Sequence, residues 1–227
     1  RHQAMEHEVM DHDRTNLILT AFGPFGGVEE NPSQVLLQEI PSFLTSNSWK
    51  RKVKERIQDV MIIDTSAQDA TEAVANLARK IVQQELSNVV CLHLGVNVNG
   101  TGYHIEKCAY NDASFRIPDQ RAYQPDKVPI HPDVPLGTPN YTQCPVDDLA
   151  AHLSLAFPAI ESKVSTDPGR YVCNFLYYTS LSKLQNELKA VDTSLFLHIP
   201  KFDKIPKETQ LEYLAEIMRV LTKVEFD

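Results

Sequence analysis

The sequence predicts an α/β protein built as a three-layer α/β/α sandwich. Its sheet is expected to be mainly parallel, mixed and twisted. Three observations carry this expectation. The short runs 16–22, 88–94 and 194–200 are mostly apolar without strict alternation, as strands buried on both faces are. Longer segments with apolar residues at helical spacing alternate with them. No Pro-, Gly- or Ser-rich linker divides the 227 residues, so residues 15–227 are expected to form one domain. Residues 1–14 are polar and charged and do not begin with Met. They are expected to be a flexible leader, either non-native or left by processing.

The first strand, 16–22, runs into the turn Gly23-Pro24-Phe25-Gly26-Gly27. Asn31 as N-cap and Pro32 at the first helical position then start a helix that carries Val35, Leu36, Leu37 and Ile40. The basic run 50–56 reads as a solvated face or a strand edge, and 53–63 as a second strand. Ala70, Ala73, Val74, Leu77, Ile81 and Val82 mark a long amphipathic helix over 64–86. The strand 88–94 follows, ended by Gly95. Residues 97–145 are irregular, and so long a stretch in a compact domain tends to be functional or to hide short strands. A helix over 146–157, a short strand over 163–165, a helix over 173–188, the strand 194–200 and a helix over 208–224 complete the order.

The net charge of −8 and the pI of about 5.5 argue against a nucleic-acid partner, which calls for a basic stripe. No apolar run approaches the roughly 20 residues of a membrane span, and no signal-peptide pattern opens the chain. The expected location is therefore cytoplasmic. Cys91, Cys108, Cys144 and Cys173 form no CxxC pair and no zinc spacing, which suits four free thiols in a reducing compartment. Cys91, within Val89-Val90-Cys91-Leu92, reads as an inert buried thiol, and His93 as a satisfied core histidine.

Cys173 has a different setting. It follows the Pro168-Gly169 turn and opens the run Cys173-Asn174-Phe175-Leu176-Tyr177-Tyr178, readable as a helix. A thiol at a helix start meets unpaired N–H groups and the positive end of the helix dipole, both of which favour an anionic sulfur. His198, at the end of the last strand, suits a general base for that thiol. A third group should orient the imidazole, and Glu106, Asp112 and Asp119 are the candidates in the irregular stretch. Phe22 and Phe25 flank a tight turn at a strand end, where two rings suit a small flat ligand. The turn is neither a Walker loop nor GxGxxG.

Four blocks resemble the pyroglutamyl-peptidase I family of cysteine peptidases, in that family's order. They are Phe22-Gly23-Pro24-Phe25-Gly26-Gly27 with Asn31-Pro32-Ser33; Glu106-Lys107-Cys108-Ala109-Tyr110-Asn111 with Arg116-Ile117-Pro118-Asp119; Gly169-Arg170-Tyr171-Val172-Cys173-Asn174 with Tyr177-Tyr178; and Phe196-Leu197-His198-Ile199-Pro200. The resemblance implies removal of N-terminal pyroglutamate (5-oxoproline) from peptides, with no metal and no organic cofactor. It implies Cys173 as nucleophile, His198 as base and acid, and Glu106 as the group that orients His198. Phe22 and Phe25 would pack on the pyrrolidone ring, and Arg116 would support the oxyanion. The chain departs from bacterial members at Ala21, at 97–104 and at 120–123. Monomer and homo-oligomer both stay open. The alternatives are a non-catalytic binder of a small lactam and a nucleoside-phosphorylase-like enzyme on the same scaffold.

Overall fold

A computed structural model describes residues 14–226. Of the expected leader, Arg14 alone falls within it, and its guanidinium donates to the carbonyl of Glu55. The rest of that expectation lies outside the described residues. The elements follow in the order β1 (Asn16–Phe22), α1 (Pro32–Phe43), α2 (Ser48–Lys54), β2 (Ile57–Ile63), α3 (Ala67–Gln83), β3 (Val89–Val96), β4 (Tyr103–Glu106), β5 (Cys108–Tyr110), β6 (Pro139–Tyr141), α4 (Val146–Ala156), β7 (Ser162–Ser165), α5 (Val172–Ser180), a π-helical turn (Leu181–Gln185), β8 (Val191–Ile199) and α6 (Lys207–Thr222).

The main sheet has six strands in the order β2-β1-β3-β8-β4-β7. β2, β1, β3 and β8 are parallel, whereas β4 pairs antiparallel with β8 and parallel with β7. The sheet is thus mixed, as expected. β5 and β6 form a small antiparallel pair of their own.

Strand alternation sorts the side chains into two layers. Leu17, Leu19, Leu92, Leu94, Leu195 and Leu197 meet α1, α2, α4 and α6 through residues such as Leu36, Val53, Leu149 and Leu214. Ile18, Phe22, Cys91 and Phe196 meet α3 and α5 through Val74, Leu77, Leu176 and Tyr177. Glu106 and His198 share this second face with Phe196, because residues two apart on a strand point the same way.

The local signals worked where side chains cap the backbone. Asn31 accepts from the N–H of Ser33 at 3.0 Å, with Pro32 beginning α1. Ser66 caps α3 by accepting from Asp69 at 2.9 Å. The basic run is solvated over Arg51, Lys52, Lys54 and Glu55, as expected, but it is helical in its first part and Lys50 is an exception. Asn47 caps a short helix, α2, that occupies its first part, and β2 begins only at Ile57. Lys50 is no solvated residue: it is buried, paired with Glu212 of α6 at 2.9 Å and lies over the Phe43 ring. The predicted helix over 173–188 splits, with α5 ending at Ser180 and the π-helical turn following.

His93 is a satisfied core histidine. It is fully buried and bonded to the hydroxyls of Thr20 (2.7 Å), Ser180 (2.8 Å) and Ser194 (3.1 Å). Burial pushes its pKa down to about 3, so the ring is neutral. Burial also pushes the Cys91 thiol up to about 12, which fits an inert sulfur. Among the described residues no helix is long and apolar enough to cross a membrane.

Candidate active site

A cavity of about 560 Å³ opens where β1, β3 and β8 end. Phe22, Phe25, Glu106, Arg116, Cys173 and His198 all line it, so the fold gathers every residue singled out by the resemblance.

Phe22 ends β1 and is almost fully buried. The chain after it is tied down closely. Gly23 donates to Ile63 (2.9 Å), and its carbonyl accepts from Asn31 (2.8 Å) and Thr65 (3.2 Å). Phe25 and Val28 exchange backbone bonds across Gly26 and Gly27, whose φ values of +47° and +84° suit glycine. The Phe25 ring, half-buried, lies 6.4 Å from that of Tyr171. The two phenylalanines differ, then: Phe22 also belongs to the core, whereas Phe25 belongs to the cavity wall.

Cys173 sits in the first turn of α5 and is half-buried. The cap, Tyr171, turns its hydroxyl to the Pro118 carbonyl (3.2 Å) and makes no capping bond, so the first-turn N–H groups gain no side-chain acceptor from it. The neighbouring Asn174 explains why the turn is rigid. It is fully buried, accepts from the N–H of Tyr110 (2.8 Å) and donates to the carbonyls of Tyr110 (2.9 Å) and Asp112 (3.0 Å).

His198 ends β8 with its Nδ1 2.7 Å from Glu106 Oε1. The antiparallel pairing of β4 permits this contact. Glu106 is opposite Phe196, one diagonal step from His198. Glu106 is fully buried, and its carbonyl accepts from the Tyr177 hydroxyl at 2.8 Å. Burial alone lowers the His198 pKa. Hydrogen bonds to Cys173 and Glu106, with the charge of both, outweigh it and raise the value to about 10. The Glu106 carboxyl thus faces one ring nitrogen and, together with Cys173, favours the protonated ring.

The other two orienting candidates are engaged elsewhere. Asp119 accepts from the N–H groups of Ala67, Arg121 and Tyr123, which fastens its loop to the start of α3. Asp112 accepts from Ser114 and faces Arg170 at 3.6 Å. Arg116 is exposed at the cavity rim, and among the described residues nothing pairs with its guanidinium.

A family model described as pyroglutamyl peptidase matches residues 15–218. The chain belongs to the pyroglutamyl peptidase family. It is 28% identical over 184 residues to the pyrrolidone-carboxylate peptidase of Levilactobacillus brevis, covering 81% of each chain. It is 26% identical over 223 residues to pyroglutamyl-peptidase 1 of Rattus norvegicus, covering 96% of this chain and 97% of that one. Among solved structures, the pyrrolidone carboxyl peptidase from Thermus thermophilus superposes with a TM-score of 0.69 at 27% identity, over 91% of this chain and 99% of that one. The pyrrolidone carboxyl peptidase of Fervidobacterium islandicum, at 24% identity and a TM-score of 0.72, shares the fold.

Two further residues at this cavity were not singled out for it in the sequence. Gly95 lies inside β3 rather than ending it. A Cβ there would meet the Phe196 ring at 2.7 Å and the Cys173 sulfur at 3.1 Å, so the absent side chain is what gives both their places. His104 lines the cavity from β4, directly opposite His198. Its position on that ladder is a product of long-range pairing that no local pattern encodes.

Proposed function

We propose that this chain hydrolyses the bond after an N-terminal pyroglutamate, with Cys173 as nucleophile, His198 as base and acid, and Glu106 as the residue that positions His198. One observation carries the reading: the His198 ring stands between the Glu106 carboxylate and the Cys173 sulfur at a cavity walled by Phe22 and Phe25. Pyroglutamate is an uncharged lactam. Apolar ring faces suit it, and they leave a free N-terminal ammonium without a partner, which selects against ordinary peptides. A volume of about 560 Å³ admits the lactam and part of the following residue.

In the first half-reaction the Cys173 sulfur attacks the pyroglutamyl carbonyl carbon. The oxyanion that forms meets the N–H of Cys173, with Arg116 at the rim as a second support. His198 gives its proton to the leaving nitrogen, the C–N bond breaks, and a thioester remains. In the second half-reaction His198 takes a proton from water, whose oxygen attacks the thioester. The C–S bond breaks, the sulfur leaves the carbonyl carbon, and free pyroglutamate departs with His198 again protonated beside Cys173, which restores the enzyme. All four cysteines are unpaired, and the proposed chemistry needs a compartment that keeps them so. A phosphorylase-like reading would need a phosphate anchor, but Arg170 is already paired with Asp167 (2.7 Å) and Asp112 (3.6 Å).

The test is hydrolysis of a fluorogenic pyroglutamyl amide at neutral pH with reductant, beside prolyl, glutamyl and alanyl amides. Turnover of the pyroglutamyl amide alone, abolished by iodoacetamide on Cys173, is the expected result. No turnover, with Cys173 unreactive, would replace the peptidase reading with that of a binder.

Gly95 supplies a second prediction. Gly95→Ala forces the Phe196 ring and the sulfur to shift. A misplacement of the nucleophile on this scale costs about a hundredfold in kcat/KM. The overpacked site is also expected to lose about 1–3 kcal/mol of stability. Steady-state kinetics and a urea titration check both, and wild-type kinetics would mean that the sulfur's position does not depend on this contact.

A further inference from the structure

The order of strands lays groups along the cavity in sequence. β1 brings Phe22, β3 brings Gly95 with the Cys173 sulfur against it, β8 brings His198, and β4 brings His104. Under the proposed reaction, on which this inference rests, the lactam lies at Phe22 and the scissile nitrogen at His198. The residue that follows pyroglutamate must therefore leave toward β4. His104 stands there.

The geometry suits a contact with that residue's main chain. His104 and His198 are directly opposed in the antiparallel pair, so their side chains share a face, with Cβ atoms about 5 Å apart. In a peptide the carbonyl oxygen of a residue lies about 3 Å from its own nitrogen. A leaving nitrogen at His198 thus brings the next carbonyl beside His104. The His104 ring is half-buried, and among the described residues nothing hydrogen-bonds to it. Its near neighbours are otherwise occupied or remote. Glu106 is bonded to His198 on the same face, and Lys163, its register partner on β7, is exposed.

We infer that His104 is a specificity residue for the leaving side: its ring N–H donates to the main-chain carbonyl of the residue after pyroglutamate. The contact exists with a peptide and not with an aryl amine, which has no carbonyl at that place. His104 accordingly biases the enzyme toward true peptides.

The experiment compares kcat/KM for pyroglutamyl-alanyl-amide and pyroglutamyl-β-naphthylamide in wild type, His104→Ala and His104→Asn. In His104→Ala the ratio of peptide to arylamide is expected to fall about tenfold, the usual size of one hydrogen bond. The fall should lie mainly in KM if the bond is made equally in ground and transition states. His104→Asn, which keeps a donor, should recover part of the ratio. A ratio within twofold of wild type in His104→Ala overturns the inference. So does an equal loss on both substrates, the mark of a structural role. Failure of wild type on both substrates would overturn the proposed reaction instead, so the two failures read differently.

Discussion

Cys173→Ala is expected to abolish turnover of pyroglutamyl amides while the chain stays folded. No other thiol can substitute. Cys91 and Cys144 are buried, with burial pushing both up to about 12, and Cys108 is buried with its Sγ 3.5 Å from the Thr166 carbonyl. The expected loss in kcat is about four to six orders of magnitude, as for removal of a nucleophile from an acting unit. The fold has little stake in the sulfur. Cys173 is half-buried, and its turn is anchored by the bonds of Asn174 and by the Tyr177 hydroxyl on Glu106. The stability change is expected to stay within about 1 kcal/mol. Burst kinetics and a denaturant titration, side by side, check the pair of claims. A variant that retains turnover would remove Cys173 from the chemistry, and a variant that fails to fold would be judged by Cys173→Ser.

How much of this was legible before the structure depended on the range of the interactions. Elements fixed by their own residues were readable: β1, β3 and β8 by mostly apolar runs, α1 by Asn31 and Pro32, α3 by its apolar stripe. Position within the site needed the sheet. Glu106 and His104 lie on β4, a strand of four residues inside a stretch that reads as irregular. Their roles follow from antiparallel pairing with a strand 92 residues away from Glu106 in sequence. Nothing local encodes that, and Glu106, Asp112 and Asp119 could not be separated on the residues alone. The structure separates them by partners, since Asp119 is spent on three backbone N–H groups and Asp112 on Ser114 and Arg170. Much of the loop from 111 to 137 is likewise held by one side chain. Asn111, fully buried, donates to the carbonyls of His131 and Val134 and accepts from the His131 N–H. In the basic run charge meant exposure at Arg51, Lys52 and Lys54, whereas Lys50 is buried on the helix that Asn47 caps and reaches Glu212 of α6, a long-range pairing that the run does not encode.

His198→Ala is expected to rival Cys173→Ala in lost turnover, yet to differ from it in stability, and the difference tests how the pair is built. Glu106 is fully buried, and its Oε2 has no partner. Without His198, its Oε1 loses its partner too, and stranding one member of a buried pair costs about 3–5 kcal/mol. Glu106→Gln is the gentler probe, because it keeps shape and a possible acceptor while removing the charge. Its loss of kcat should be smaller than that of His198→Ala, since orientation and charge are weakened but the proton carrier remains. The pH profile carries the sharper sign. The His198 pKa is raised from 6.5 to about 10, so the imidazolium and the stability it contributes are fully present below about 6.5. Both are lost as the pH rises through about 10. Glu106 is one of the two groups that raise it. Glu106→Gln should therefore move the alkaline limb of kcat/KM, and the alkaline fall in stability, to lower pH. An unmoved alkaline limb, with activity intact, would show that the carboxylate contributes neither charge nor orientation to the ring, and Glu106 would leave the triad.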